Sequence, residues 1–281
     1  MDFPRHSRLR GFATTATLLA AVITTPALVS AQAATRDSAH IDRTFFTRRD
    51  AALAGVALVG SAAVSIFDER IARYTQSAGV QGGKSRQDLA DALTVVNEMP
   101  LTVAAVVTYG VGRLAHQSTV ADVGLHTTET LLLTTALAEL IRGPLGRARP
   151  RVSPDDAYAF HWGTGFTNFD NRAFPSLHAA VAFATASALV GEIRERRPDA
   201  NRFAAPLLYT AATIPGFTRL YLDQHWASDI VAGSFLGAWL GSKVVRYAHT
   251  HRRSKLDRAL LGTAVLPDGR GGTMVMVSLT P

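Results

Sequence analysis

The chain contains no cysteine, which excludes disulfide bonds and thiol chemistry and leaves the redox compartment open. It also lacks the zinc-ligand spacing of nucleic-acid-binding domains and a basic patch interleaved with aromatic residues. Its net charge of +7 therefore does not predict a nucleic-acid partner. A basic surface of this kind is suited instead to small anionic substrates or to anionic lipid headgroups.

Long hydrophobic runs are absent as well. A helix that crosses a bilayer needs about 20 largely apolar residues. The run over 51–67 has 17 uncharged positions, and 99–112 has 14. The stretch over 121–141 carries Glu129 and Glu139. We therefore favour a soluble or peripherally bound bundle, with an integral membrane protein as the alternative.

The apolar residues, 47% of the 281, are sufficient for a sizeable core and predict an all-α fold. Six apolar stretches are predicted helices: 51–67, 99–112, 121–141, 178–191, 203–218 and 230–245. Between the first two, 68–100 is predicted to be a polar connection with glycine turns. A long loop over 143–174 is expected to shape the mouth of a site. Near the carboxyl end, 263–266 and 273–279 predict a small β-hairpin.

The amino-terminal segment has the pattern of an export signal. Arg5, Arg8 and Arg10 precede a mostly apolar stretch, and small residues end it near Ala33. The expected organisation is a signal peptide over 1–33, a polar lead-in over 34–48, a helical domain over 49–261 and a tail over 262–281. An uncleaved membrane anchor is the alternative. Cleavage implies a location in the periplasm or cell envelope.

Three short segments gather the residues of a phosphate site: Arg142 to Pro150, Pro175 to His178, and Thr218 to Asp229. Guanidinium groups hold phosphoryl oxygens in bidentate fashion. One histidine can attack phosphorus while a second protonates the departing oxygen. Taken singly, Ser176 and Asp229 also fit helix capping. Taken together, the segments contain every part needed for phosphoryl transfer without a metal.

The spacing of these segments resembles the motifs of the type 2 phosphatidic acid phosphatase superfamily, which includes bacterial acid phosphatases and vanadium haloperoxidases. The first motif has arginine at 142 in the usual lysine place. The second has Leu177 where glycine is usual, and the third has Thr218 for serine. The resemblance implies a six-helix bundle of the phosphatase and haloperoxidase type.

The resemblance also implies a role for each motif residue. His225 corresponds to the nucleophile that forms a phosphohistidine, Asp229 to the group that orients it, and His178 to the general acid. The phosphoryl group is expected to be bound by Arg142, Arg149, Arg219, the hydroxyl of Ser176 and the backbone N–H of Leu177. No metal and no cofactor are expected.

The expected function is a metal-independent phosphatase whose partner is a phosphorylated small molecule or a lipid phosphate or diphosphate. Leu177 also occurs in lipid phosphotransferases of the superfamily, so transfer to an alcohol acceptor stays open. The same residues also fit a vanadium-dependent haloperoxidase or an inactive lipid-binding helical protein. Membrane association, peripheral or integral, is compatible with each of these functions.

Two groupings of potential metal ligands carry a weaker signal. Asp122, His126 and Glu129 would share one helix face at ligand spacing, but no fourth ligand is evident, and a polar face is the favoured interpretation. His249 and His251 open a basic cluster that we interpret as a solvated helix end. In the long loop, His161 and Trp162 are candidates for contact with a leaving group.

Overall fold

The computed structural model describes Phe45, residues 47–250 and the backbone of 263–267 and 273–277. The helices of these ranges are α1 (Arg48–Ser65), α2 (Asp68–Thr75), α3 (Ala78–Gln81), α4 (Lys84–Leu93), α5 (Glu98–Leu114), α6 (Ser118–Leu145), α7 (Leu177–Arg196), α8 (Pro198–Tyr221) and α9 (Ala227–Thr250). The predicted export signal over 1–33 and nearly all of the lead-in over 34–48 lie outside the described residues.

The six long helices, α1 and α5 to α9, are the six that the apolar stretches predict, and their ends differ from the predicted ones by five residues or fewer. The all-α, six-helix prediction is thus confirmed. Helix α7 lies at the centre, packed against α6, α8 and α9, while α1 packs on α9 and α5 on α6. The bundle therefore places the amino-terminal ends of α7 and α9 side by side.

Small residues allow α7 and α9 to approach closely. Gly233, Gly237 and Gly241 follow one another at intervals of four on α9, so they share the face that contacts α7. A Cβ at Gly237 would lie 1.9 Å from the carbonyl oxygen of Ala180, nearer than any real Cβ contact. Glycine is therefore required where these two backbones touch.

The predicted polar connection over 68–100 contains three short helices that the sequence analysis does not predict, α2, α3 and α4. Helix α2 begins with Asp68 and Glu69, whose negative charges suit the positive end of a helix. The glycines at 82 and 83 separate α3 from α4, as the turn signals indicate. The consequence for the site is that Asp68 is carried into the interior, where it is 1% exposed.

The long loop starts at Gly146, which has φ 60° and ends α6 in the left-handed conformation that favours glycine. A single antiparallel bridge then joins Arg147 to Phe160. The backbone N–H of Ala173 donates to the carbonyl of Arg147 at 3.0 Å. These contacts fold the loop back over the ends of α6, α7 and α9.

The predicted hairpin corresponds to strands β1 (Thr263–Pro267) and β2 (Thr273–Val277). They pair antiparallel with Thr263 opposite Val277. The residues between the two strands lie outside the described ranges.

None of the described helices is by itself long and apolar enough to cross a bilayer. Two bent pairs meet the length and composition together, α1 with α2 at 56° and α4 with α5 at 44°. The outer faces of the bundle carry large apolar side chains, including Val59 and Leu207, each 71% exposed. A lipid contact is therefore compatible with the surface of the bundle.

Candidate active site

His225 lies just before α9 and is 2% exposed. Its Nδ1 is 2.8 Å from the carbonyl oxygen of Ala173, so Nδ1 carries the proton that is donated and Nε2 keeps its lone pair. Burial, and then the positive charges of Arg149 and Arg142, hold the pKa of His225 well below its usual range. The imidazole is therefore uncharged and has the electronic state of a nucleophile.

Asp229 lies 3.6 Å from Nδ1 of His225, too far for a hydrogen bond. Its Oδ2 accepts the backbone N–H of Trp226 at 2.8 Å, and its Oδ1 accepts from Arg147 at 2.5 Å. Asp229 is expected to orient His225, and this expectation is corrected at the ring N–H, which donates to the carbonyl of Ala173 instead. Asp229 caps the first turn of α9, the alternative interpretation of this residue.

The arginines at 142, 149 and 219 all lie close enough to His225 to lower its pKa. Arg142 donates from Nε and Nη2 to the carbonyl of Arg172 at 3.2 and 2.9 Å, and from Nη1 to Glu139 at 3.1 Å. Arg149 donates to Gln224 and lies over the ring of Phe169 at 4.0 Å.

The electrostatics of this arginine pocket show an excess of positive charge. Burial, reinforced by Arg142 and Arg151, lowers the pKa of Arg149 to about 9. Burial also lowers the pKa of Arg142 and of Arg219, against the opposing effect of Glu139 and Glu98. A bound phosphoryl dianion would relieve the repulsion among these arginines, because its negative charge pairs with guanidinium groups that have too few acidic partners in the protein.

His178 begins α7 beside the pocket, with its ring centre 6.4 Å from that of His225. Its Nε2 is 2.6 Å from Nη2 of Arg219 and accepts a hydrogen bond from it. Burial, followed by the charge of Arg219, lowers the pKa of His178 to about 2. Before an anion binds, His178 is therefore neutral and holds no proton to give from Nε2.

Ser176 and Leu177 form the start of α7. Ser176 is fully buried, its Oγ accepts the N–H of Ala179 at 3.5 Å, and its own N–H donates to the carbonyl of Asp229 at 2.9 Å. The hydroxyl thus serves as a helix cap, the alternative interpretation. Leu177 is the first helical residue, so its N–H has no partner within the helix and is placed as an anion-binding helix start requires.

The sequence model of the PAP2 superfamily matches residues 124–253, which include all three motifs. The expected resemblance to the PAP2 superfamily is thus supported over these residues.

Curated relatives match parts of the chain. It is 35% identical over 70 residues to a lipid A 1-phosphatase of Porphyromonas gingivalis, covering 25% of this chain and 15% of that protein. It is 30% identical over 120 residues to a lipid A 1-phosphatase of Rhizobium johnstonii, covering 42% and 44%. The matches therefore span less than half the length of either relative.

A solved structure shares the fold. The transmembrane PAP2-type phosphatidylglycerolphosphate phosphatase of Bacillus subtilis has a TM-score of 0.50 and 18% identity to this chain. The match covers 73% of this chain and 97% of that one. At this identity the similarity shows a shared fold, and it agrees with the six-helix bundle described above.

Behind the PAP2 motif residues lies a buried ionic cluster that the motif spacing does not reveal. Arg147 is 2% exposed and donates to Asp68 at 2.8 Å as well as to Asp229. Ser228 joins the cluster through its N–H, which donates to Asp68 at 2.9 Å. The cluster fixes the start of α9, and with it the position of His225, against α2.

Acidic residues at the rim of the pocket are likewise absent from the predicted site. Glu139, one turn before Arg142, pairs with both Arg142 and Arg172. Glu98, at the start of α5, raises the pKa of Arg142 and of Arg219 through its charge. An acid three positions before Arg142 is a signal that helix periodicity offers, whereas Glu98 is remote in sequence.

Proposed function

We propose that this chain is a phosphoric ester hydrolase that acts on lipid phosphates through a covalent phosphohistidine at His225. The observation that carries the proposal is a buried, uncharged imidazole fixed at Nδ1 by Ala173 and facing three arginines that lack sufficient acidic partners. Such a site suits attack by a neutral nitrogen on a dianionic group.

In the proposed reaction, Nε2 of His225 attacks phosphorus and the bond to the leaving oxygen breaks. Arg142, Arg149 and Arg219 neutralise the charge on the phosphoryl oxygens as the transition state forms. His178 protonates the leaving alkoxide once the bound dianion has raised its pKa. It then removes a proton from the water that attacks the phosphohistidine, which releases inorganic phosphate and restores His225.

Several features support a lipid as the substrate. Large apolar side chains cover the outer faces of α1, α5 and α8, of which Leu58, Val103 and Phe203 are examples. An apolar cavity of about 310 Å³ lies beside Arg147, between α1 and the long loop. The curated relatives named above act on lipid A. We propose a membrane-associated enzyme, with location in the cell envelope as the expectation from its export signal.

The experiment compares the full chain with its His225→Ala variant on phosphatidic acid and on a lipid A phosphate in mixed micelles, with EDTA present. We expect phosphate release by the wild type and a loss of at least about 10³-fold in the variant. Quenching with alkaline detergent during turnover should trap on the wild type a phosphoryl group that is stable to base and labile to acid. His116→Asn, at an exposed position between α5 and α6, is the matched control and should retain both signals.

Three outcomes would overturn the proposal. Equal turnover in His225→Ala would exclude this nucleophile. Transfer of the phosphoryl group to added alcohol without phosphate release would indicate a lipid phosphotransferase instead. Peroxide-dependent bromination with added vanadate, without phosphatase activity, would indicate a haloperoxidase.

A further inference from the structure

A second group of potential ligands lies at the end of the bundle away from the arginine pocket. It consists of His126 in α6, Glu192 in α7 and His249 in α9. Since His126 and Arg142 are 16 positions apart on one helix, the two sites are separated by roughly 24 Å. The group therefore has no part in the phosphoryl chemistry proposed above.

The three side chains converge on one another. Nδ1 of His126 is 2.5 Å from Oε1 of Glu192, and Nε2 of His249 is 3.1 and 3.2 Å from the two carboxylate oxygens. All the ligand atoms lie within 4.8 Å of one another. The side chains of His126, Glu192 and His249 are 7%, 2% and 10% exposed, so the group is largely buried.

We propose that His126, Glu192 and His249 bind one divalent transition-metal ion of the zinc class, with a structural role. Two imidazole nitrogens and one carboxylate oxygen are a ligand set that such ions prefer. In a tetrahedral site with bonds of about 2.1 Å, ligand atoms stand roughly 3.4 Å apart. The contacts of His249 with the Glu192 carboxylate, at 3.1 and 3.2 Å, are close to that spacing, whereas the 2.5 Å contact of His126 has to lengthen by about 0.9 Å. Side-chain rotations of His126 and Glu192 would admit the ion, and a water molecule that enters with it would complete its coordination.

Neighbouring groups support the carboxylate as a ligand. Arg196 pairs with Oε2 of Glu192 and donates to Asp122 at 2.8 Å, so the second oxygen is held while Oε1 faces His126. Metal-ligating carboxylates are commonly oriented by hydrogen bonds in this way. The sequence pattern indicates a different grouping, of His126 with Asp122 and Glu129. Three helices meet at the ligands, so the ion would tie α6, α7 and α9 together.

The test is a titration of the EDTA-dialysed, chelator-free full chain with Co²⁺, which reports tetrahedral coordination by its visible absorption. We expect one equivalent to bind the wild type. His126→Ala and His249→Ala should each weaken binding at least about tenfold. The controls His161→Ala and His225→Ala should bind as the wild type does, which separates this site from the long loop and from the phosphate pocket.

Thermal unfolding supplies a second readout. Zn²⁺ should raise the midpoint of the wild type and of His225→Ala, and should leave that of His249→Gln unchanged. The proposal is overturned if the wild type binds no stoichiometric Co²⁺, or if the His126 and His249 variants bind it unchanged. The three side chains are then a buried hydrogen-bonded group only. Should a variant fail to fold, the wild-type and His225→Ala titrations still decide, because stoichiometric tetrahedral binding in both supports the site and its absence overturns it.

Discussion

At the scale of the residue, the two histidines of the pocket share a charge state but have different surroundings. His225 donates from Nδ1 to a carbonyl, which leaves Nε2 free for attack, while Nε2 of His178 is occupied as an acceptor by Arg219. The pKa of both is lowered, chiefly by burial. A neutral His225 suits its proposed role, whereas His178 must gain a proton before it can act as an acid.

We therefore predict that a phosphate analogue binds with uptake of a proton at His178. The pKa of His178 is about 2 in the empty pocket, so it is neutral at pH 6. A bound dianion offsets the arginine charges and raises that pKa. Titration calorimetry with tungstate at pH 6, in buffers of different ionisation enthalpy, measures the uptake.

The His178→Gln variant should bind tungstate with markedly less proton uptake, and the exposed-site control His116→Asn should match the wild type. If His178→Gln takes up as many protons as the wild type, the general-acid assignment is wrong.

The convergence of the motif residues on one pocket could be expected from the sequence because their spacing resembles the PAP2 motifs, and their roles stay predictions. The partners of these residues could not be expected. Arg147 contacts Asp68 and Asp229, which are 79 and 82 residues away in the sequence. A local sequence pattern does not predict contacts between residues so far apart. The acceptor for His225 is a backbone carbonyl, that of Ala173, which any residue type would supply.

At the scale of the element, the six long helices were predictable because each buries a continuous apolar stretch. The short helices α2 to α4 were not, because polar sequence with glycine is equally typical of a loop. Their position depends on tertiary contacts such as that of Asp68 with Ser228. The close packing of α7 on α9 is likewise a property of two helices together, although its glycines are visible in the sequence.

This packing predicts a large effect of one methyl group. In Gly237→Ala the new Cβ meets the Ala180 carbonyl, so α9 must shift. We expect a loss of about 1–3 kcal/mol in the free energy of unfolding. We also expect lower kcat, since His225 precedes the same helix. Denaturant unfolding and initial rates measure the two effects.

Gly60→Ala in α1 is the matched control for that substitution, because a Cβ there meets no described atom within 4 Å. It should raise the free energy of unfolding by about 0.5–1 kcal/mol through helix propensity. Equal effects of the two substitutions would show that the helices are not in the close contact described.

At the scale of the whole molecule, the charges form two layers of opposite character around the start of α9. The inner layer has one arginine, Arg147, between two buried carboxylates. Burial lowers the pKa of Arg147, but Asp229 and Asp68 outweigh it and raise that pKa. The outer layer has three arginines with too few acids, and the pKa of Arg149 falls to about 9. The fold thus stabilises the charge of Arg147, whereas the charge of Arg149, two residues further along the chain, is destabilised.

Substitution of these neighbouring arginines by methionine should therefore change stability in opposite directions. Arg147→Met leaves two buried carboxylates unpaired and should lower the free energy of unfolding by about 3–5 kcal/mol. For Arg149 the sign is reversed: a base whose pKa is depressed in the folded state opposes folding wherever it is charged, which includes neutral pH. Arg149→Met should raise the free energy of unfolding by about 1–3 kcal/mol while abolishing phosphatase activity. Denaturant unfolding at pH 7 without phosphate measures both. If Arg149→Met instead lowers the free energy of unfolding, the pocket carries no excess positive charge. The electrostatic attraction that we expect to hold a dianion beside His225 would then be absent.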